Sequence, residues 1–169
     1  MGYTTTFEGA FKLNKPLTQE QADYLHAFNE TRRIKRNTSL LLDVKDELRE
    51  AVGLPLGVEG EFFVGYPKNF GQTNTQDVVN YNATPSTQPS LWCGWCPTDN
   101  KDGICCDGAE KFYSYVEWLQ YLINNFLKPW GYELNGIVEY QGEEDDDHGY
   151  LIVRGNQVFH QQKIDFVLT

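Results

Sequence analysis

EKFYSYVEWLQYLINNFLKPWGYELNGIVEYQG, residues 110–142, changes period partway along, and that change decides the fold class. Phe112, Val116, Leu119, Ile123 and Leu127 recur at helical spacing with Tyr115, Leu122 and Phe126 beside them, which makes one broad apolar face. Glu110, Ser114, Glu117, Tyr121 and Asn124 fall on the other side. The spacing predicts a helix over 110–127, stopped by Pro129, which has no backbone N–H to donate and disfavours a helical residue before it. From Tyr132 the period becomes two. Tyr132, Leu134, Gly136, Val138 and Tyr140 point one way, and Glu133, Asn135, Ile137, Glu139 and Gln141 present a mostly polar face the other way. A helix is therefore followed by a strand with one wet face.

The rest of the chain supplies the partners. Residues 3–13, rich in Thr and Phe, read as a strand ending at Asn14-Lys15-Pro16. Thr18 and Gln21 have the spacing of a capping box, and Ala22, Leu25 and Phe28 predict a short amphipathic helix to about residue 33. Residues 90–107 read as a hairpin in which LWCGWCP and GICC flank the turn-rich TDNKD. A loop centred between Asn100 and Lys101 puts Cys96 opposite Cys105. Two more strands are expected at 150–154 and 157–166. From 37 to 88 the pattern weakens to a short helix at 44–52, a short strand at 61–64 and repeated Gly and Pro, which predicts an irregular insertion lying on the surface of one domain spanning 1–169. The order strand, helix, strand, strand, helix, strand gives an α+β class. Its leading form is an antiparallel sheet with two main helices on one face, ferredoxin-like (split βαβ) with a C-terminal strand extension, and other two-layer α+β folds stay open.

The segments FEGAFKL (7–13), LWCGW (91–95), GAEKFYSYVEWLQYLINNFLKPWGYELNG (108–136) and YQGEEDDDHG (140–149) resemble a family of small hypothetical proteins of bacteria and their phages. The likeness runs over nearly the whole chain. It implies a compact domain of bacterial or phage origin, and it carries no activity, so it assigns no catalytic residue.

Composition narrows the function. A chain of 169 residues that is 40% hydrophobic is long and apolar enough to bury a core. Its 24 acidic residues against 14 basic ones give a formal charge of −10, which disfavours direct nucleic-acid binding and favours a partner with a basic surface. No apolar run approaches the roughly 20 residues of a membrane span, and MGYTTTFEGAF lacks the charged and then apolar regions of a signal peptide, so a cytoplasmic location is expected. Arg32, Arg33, Lys35 and Arg36 form the basic cluster, which reads most simply as a solvated helix end.

Chemistry-bearing clusters are few. Cys93 and Cys96 followed by Cys105 and Cys106 have the inventory of a zinc site, but neighbouring cysteines on a strand point to opposite faces, so reduced thiols are the simpler reading and a Cys96–Cys105 disulfide a third. Glu143, Glu144, Asp145, Asp146 and Asp147 precede His148 in a turn that matches no EF-hand loop, and a solvated turn is the simpler reading. No phosphate-binding glycine loop is present, and GYPKNFGQ (65–72) lacks the required Lys-Ser/Thr pair. Two functions follow. The leading one is a non-enzymatic interaction protein without a cofactor, for which the resemblance suggests a phage origin, binding a host or defence protein through Trp92, Trp95, Glu117, Glu139, Glu143, Asp145, Asp146 and Asp147. The alternative is a small metal-dependent hydrolase of a nucleotide or phosphorylated substrate, with Glu139, Glu143, Asp146 and His148 as ligands.

Overall fold

A computed structural model describes residues 2–65 and 71–163. In chain order these form β1 (Thr6–Glu8), β2 (Phe11–Leu13), α1 (Gln19–Glu30), β3 (Lys35–Arg36), α2 (Glu47–Ala51), β4 (Val78–Asn80), β5 (Trp95–Pro97), β6 (Gly103–Cys106), α3 (Tyr115–Leu122), β7 (Leu134–Gln141), β8 (His148–Arg154) and β9 (Gln157–Gln162). The class is α+β, with a mostly antiparallel sheet. The elements fall into two compact units, Met1–Pro16 with Gly94–Thr169, and Leu17–Cys93.

The first unit is built on a sheet of order β5-β6-β2-β7-β8-β9 in which β1 also pairs with β7, and all neighbours run antiparallel. The single strand expected over 3–13 is broken at Gly9, whose φ of +101° suits a residue without a side chain. The break leaves the register intact, since Thr6 faces Gln141 and Leu13 faces Leu134 along the same β7. The alternation read for β7 is present: Leu134, Val138 and Tyr140 are buried, and Asn135, Ile137, Glu139 and Gln141 are exposed. β8 and β9 join through Gly155 and Asn156, both at positive φ, as a two-residue hairpin turn requires. The part of the last expected strand beyond residue 163 lies outside the described residues.

The helix expected over 110–127 begins five residues later. Ser114 sits in the left-handed region at φ 58°, and α3 starts at Tyr115. Tertiary contacts override the helical spacing of 110–114. Phe112 is drawn against Trp95 at 5.2 Å between ring centroids, and the Thr5 N–H donates to the Glu110 carbonyl. After Leu122 the chain continues as a wider helical turn, Ile123–Leu127. Leu119, Ile123 and Leu127 are buried as read, but so is Tyr121 from the supposed polar side, because its ring packs edge-on against Trp118 and Phe126.

The second unit opens with the capping box as read: the Gln21 N–H donates to the Thr18 hydroxyl, and the Thr18 N–H donates to the Gln21 side chain. Helix α1 stops at Glu30, short of residue 33, where the Thr31 hydroxyl turns back to the Ala27 carbonyl. Residues 61–64 are buried but form no strand. Their carbonyls are taken by side chains instead: Tyr24 donates to Phe62, Gln88 to Glu61, and Arg33 to both Glu61 and Phe63. Residues 37–88 contain α2, β4 and short tight turns, and Leu41, Phe63 and Val64 from this stretch are buried, as are Tyr24, Phe28 and Ile34 of the same unit.

Candidate functional site

An exposed carboxylate pair in the sheet arises from strand register. β1 and β7 pair so that Glu8 lies directly opposite Glu139, on the face away from the buried Tyr140. Both are exposed, and among the described residues neither has a cationic partner. They wall a depression of about 150 Å³ with Thr6, Tyr140 and Gln141. Like charges set directly opposite one another weaken a sheet, and a cation placed between them removes that repulsion. A guanidinium or ammonium group has the charge, the donors and the size for such a place.

The acidic turn divides into two sets. Glu143 accepts from the Thr4 N–H at 2.7 Å, and Asp147 accepts from the Tyr3 hydroxyl at 2.6 Å, while that hydroxyl accepts from the Glu144 N–H at 3.2 Å. These two side chains tie the N-terminal residues to the turn. The Asp147 hydrogen bond raises the Tyr3 pKa. Burial, followed by the nearby Asp147 charge, raises those of Tyr115 and Tyr140. Glu144, Asp145 and Asp146 remain exposed.

The other residues singled out from sequence are scattered. Trp95 is 1% exposed and cannot serve as a surface anchor. It packs against Phe7, Phe11 and Phe112, and its indole N–H donates to the Tyr115 carbonyl at 2.8 Å. Trp92, in the second unit, is 41% exposed. Glu117 does not join Glu139. It is exposed on α3, which packs on the sheet face bearing Trp95 and Tyr140, and Glu139 points from the opposite face. His148 faces Gln141 across β7 and β8. Among the described residues no three His, Cys, Asp or Glu side chains are grouped to hold one metal ion, so the ligand set Glu139, Glu143, Asp146 and His148 is not assembled, and neither is the four-cysteine set.

The cysteines occupy the register read from sequence. Cys96 faces Cys105, and none of the four cysteines is in a disulfide. Cys93 is fully buried, and burial raises the Cys106 thiol pKa. The pairing of the two thiols pushes the Cys96 pKa up and brings the Cys105 pKa down to about 7, against burial and the charges of Asp99 and Asp107.

Of the basic cluster, Arg33 and Arg36 are buried and structural, while Arg32 and Lys35 stay half-exposed. Arg33 is 2% exposed, stacks on Phe28 at 4.2 Å and donates to the carbonyls of Thr31, Glu61 and Phe63. Arg36 is buried and pairs with Asp77 at 2.6 Å, Arg32 stacks on Tyr81, and Lys35 pairs with Glu59. Burial works to raise the Asp77 pKa, but hydrogen bonds from Thr75 and Arg36 hold it below the usual range. Asp46 pairs with Arg49 and accepts from the N–H groups of Val64 and Gly65, yet desolvation dominates and raises its pKa. A cleft of about 350 Å³ in this unit has Arg36, Phe63 and Asp77 in its wall, and the two charged groups among its described lining residues are bonded to each other. Sequence spacing gave no signal for this network, because its acids lie scattered through 46–77.

Among the described residues no helix is long and apolar enough to cross a membrane. Comparison of the chain with protein-family models, with curated proteins and with solved structures yields no match.

Proposed function

We propose that the chain is a non-enzymatic interaction protein whose acidic strand face engages a partner through a basic surface. The observation that supports this best is the pairing of Glu8 with Glu139, exposed, without a cation of the chain's own, at the wall of a small depression. A Lys or Arg side chain of the partner entering that depression meets two carboxylates, and Glu144, Asp145 and Asp146 extend the negative field along the neighbouring turn. Such rim charges act mainly by speeding association and selecting the partner's sign. The sequence resemblance to small bacterial and phage proteins suggests a host or defence protein as the partner, and carboxylates in this arrangement compete for a groove that otherwise takes a nucleic-acid backbone.

Capture from a bacterial lysate on the immobilised chain tests this reading. The captured partner should be lost as salt is raised well above about 0.15 M, where the screening length falls below about 8 Å. Replacing Asp145 and Asp146 by Asn should weaken capture without unfolding, whereas Asp147 must be left in place because it holds Tyr3. Absence of a salt-sensitive partner, together with hydrolysis of a nucleotide on addition of Mn²⁺, would favour the hydrolase instead.

A further inference from the structure

We infer that Cys96 and Cys105 form a reversible dithiol–disulfide site that closes across the β5–β6 hairpin. Three features of the hairpin carry this. The two residues are directly opposed in the ladder. The Thr98 N–H bonds the Gly103 carbonyl at 2.9 Å and the Asp107 N–H bonds the Gly94 carbonyl at 2.9 Å. Hydrogen-bonded pairs recur at every second residue of an antiparallel ladder, so Cys96 and Cys105 occupy one as well, where Cα atoms sit about 5.5 Å apart. That lies inside the roughly 4.4–6.8 Å range that a disulfide spans, while the Cβ atoms of such a pair, about 5.5 Å apart, must close to roughly 3.5–4.5 Å, so the bond forms with a local twist of the hairpin.

The second feature is orientation. Trp95 and Ile104 are fully buried, and side chains alternate along each strand, so Cys96 and Cys105 share the opposite, partly exposed face. Cys106, opposite Trp95, falls by alternation on the other face, and Cys93 is buried in the other unit, which leaves Cys96 and Cys105 as the facing pair. The third is acidity: Cys96 beside Cys105 lowers the Cys105 pKa to about 7, which supplies thiolate near neutral pH. The turn between them is held by the Thr98 hydroxyl donating to Asp102 at 2.8 Å and by the Lys101 N–H donating to the Thr98 carbonyl at 2.9 Å, so the strands are fixed before any bond forms.

The chemistry is thiol–disulfide exchange with a glutathione-type disulfide as oxidant. The Cys105 thiolate attacks one sulfur of the oxidised glutathione, forming a mixed disulfide and expelling one glutathione thiolate. Cys96 then loses its proton to solvent or to the released thiolate and attacks the Cys105 sulfur, expelling the second glutathione. Two protein thiols and one glutathione disulfide become one protein disulfide and two glutathione thiols. A dithiol reductant reverses both steps.

The test is equilibration of the full chain in glutathione buffers of increasing oxidised fraction, followed by alkylation, tryptic cleavage and mass analysis. Cleavage after Lys101 leaves Cys93 with Cys96 on one peptide and Cys105 with Cys106 on the next, so oxidised protein should yield these two peptides joined, and fragmentation should place the bond at Cys96 and Cys105 and the alkyl groups at Cys93 and Cys106. In Cys96→Ala, Cys105 should accumulate as the glutathione adduct, and the pH midpoint of its alkylation should rise from near 7 because the neighbouring thiol donor is gone. Alkylation of all four cysteines across the whole range would overturn the inference. So would a bridge to Cys106 or Cys93, or an unchanged alkylation midpoint in Cys96→Ala.

Discussion

Truncating Arg33 to Ala tests whether the basic cluster holds the second unit together. The side chain is 2% exposed and donates to the carbonyls of Thr31 at 3.3 Å, Glu61 at 2.9 Å and Phe63, with its guanidinium over the Phe28 ring at 4.2 Å. Hydrogen bonds from a charged donor contribute about 1.5–3 kcal/mol each, and a buried carbonyl left alone costs about 1–3 kcal/mol. Simple addition overstates the loss, because the bonds share one side chain and water entering the cavity re-satisfies part of the set. An expected cost of about 3–5 kcal/mol is in line with breaking a buried charged network. Arg33→Lys should recover only part of it, since an ammonium cannot spread its donors over three carbonyls. Urea unfolding followed by tryptophan fluorescence gives the number, and amide exchange gives its location: protection should fall at residues 61–64 and stay unchanged in β7 and β8. A cost below about 0.5 kcal/mol for Arg33→Ala, the value for an exposed helix-end cation, would refute the reasoning.

Three further outcomes follow from the same structure. Leu119→Ala in α3, where Leu119 is fully buried, should cost about 2–5 kcal/mol by denaturant titration, and an unchanged midpoint would put the wrong helix face inside. The Ser86 N–H, followed by the Lys35 ammonium, lowers the Glu59 pKa from 4.5 to about 2. Because the folded value is the lower one, its contribution is present above pH 4.5 and is lost as pH falls toward 2. The stability difference between wild type and Glu59→Gln should therefore shrink over that window, and a difference that grows on acidification would contradict it. Asp147→Asn should bring the Tyr3 phenol back down toward 10, read by ultraviolet titration of the phenolate, and no shift would mean that the Tyr3–Asp147 bond does not form in solution.

What could be read from sequence was local. The capping box at Thr18 and Gln21, the alternation of β7 and the Cys96–Cys105 register each depend on residues only a few positions apart, where spacing alone fixes geometry. Where distant residues decide, the reading failed. Residues 110–114 have helical spacing, but Phe112 joins an aromatic cluster with Phe7 and Trp95 from remote strands, and the helix yields. Trp95 alternates with Cys96 on β5, so strand period could have marked one of the two as core, but choosing which needed the partner strand with its buried Ile104. Arg33 looked solvated because its carbonyl partners lie near residues 61–63, in a stretch without periodicity. The candidate site shows the same limit. The turn carboxylates were visible as a run, yet two of them are committed to Tyr3 and Thr4, and the Glu8–Glu139 pair exists only through the register of β1 on β7.

The central claim is that the position of the negative charge, and not its total, recruits the partner. Two variants with the same net charge separate the two: Glu8→Gln with Glu139→Gln on the outer sheet face, and Glu30→Gln with Glu50→Gln at exposed sites of the second unit. Quantitative capture of the lysate partner at about 0.15 M salt, repeated with each folded variant, should fall several-fold for the first pair and stay near wild type for the second. Equal capture by all three proteins would contradict the account.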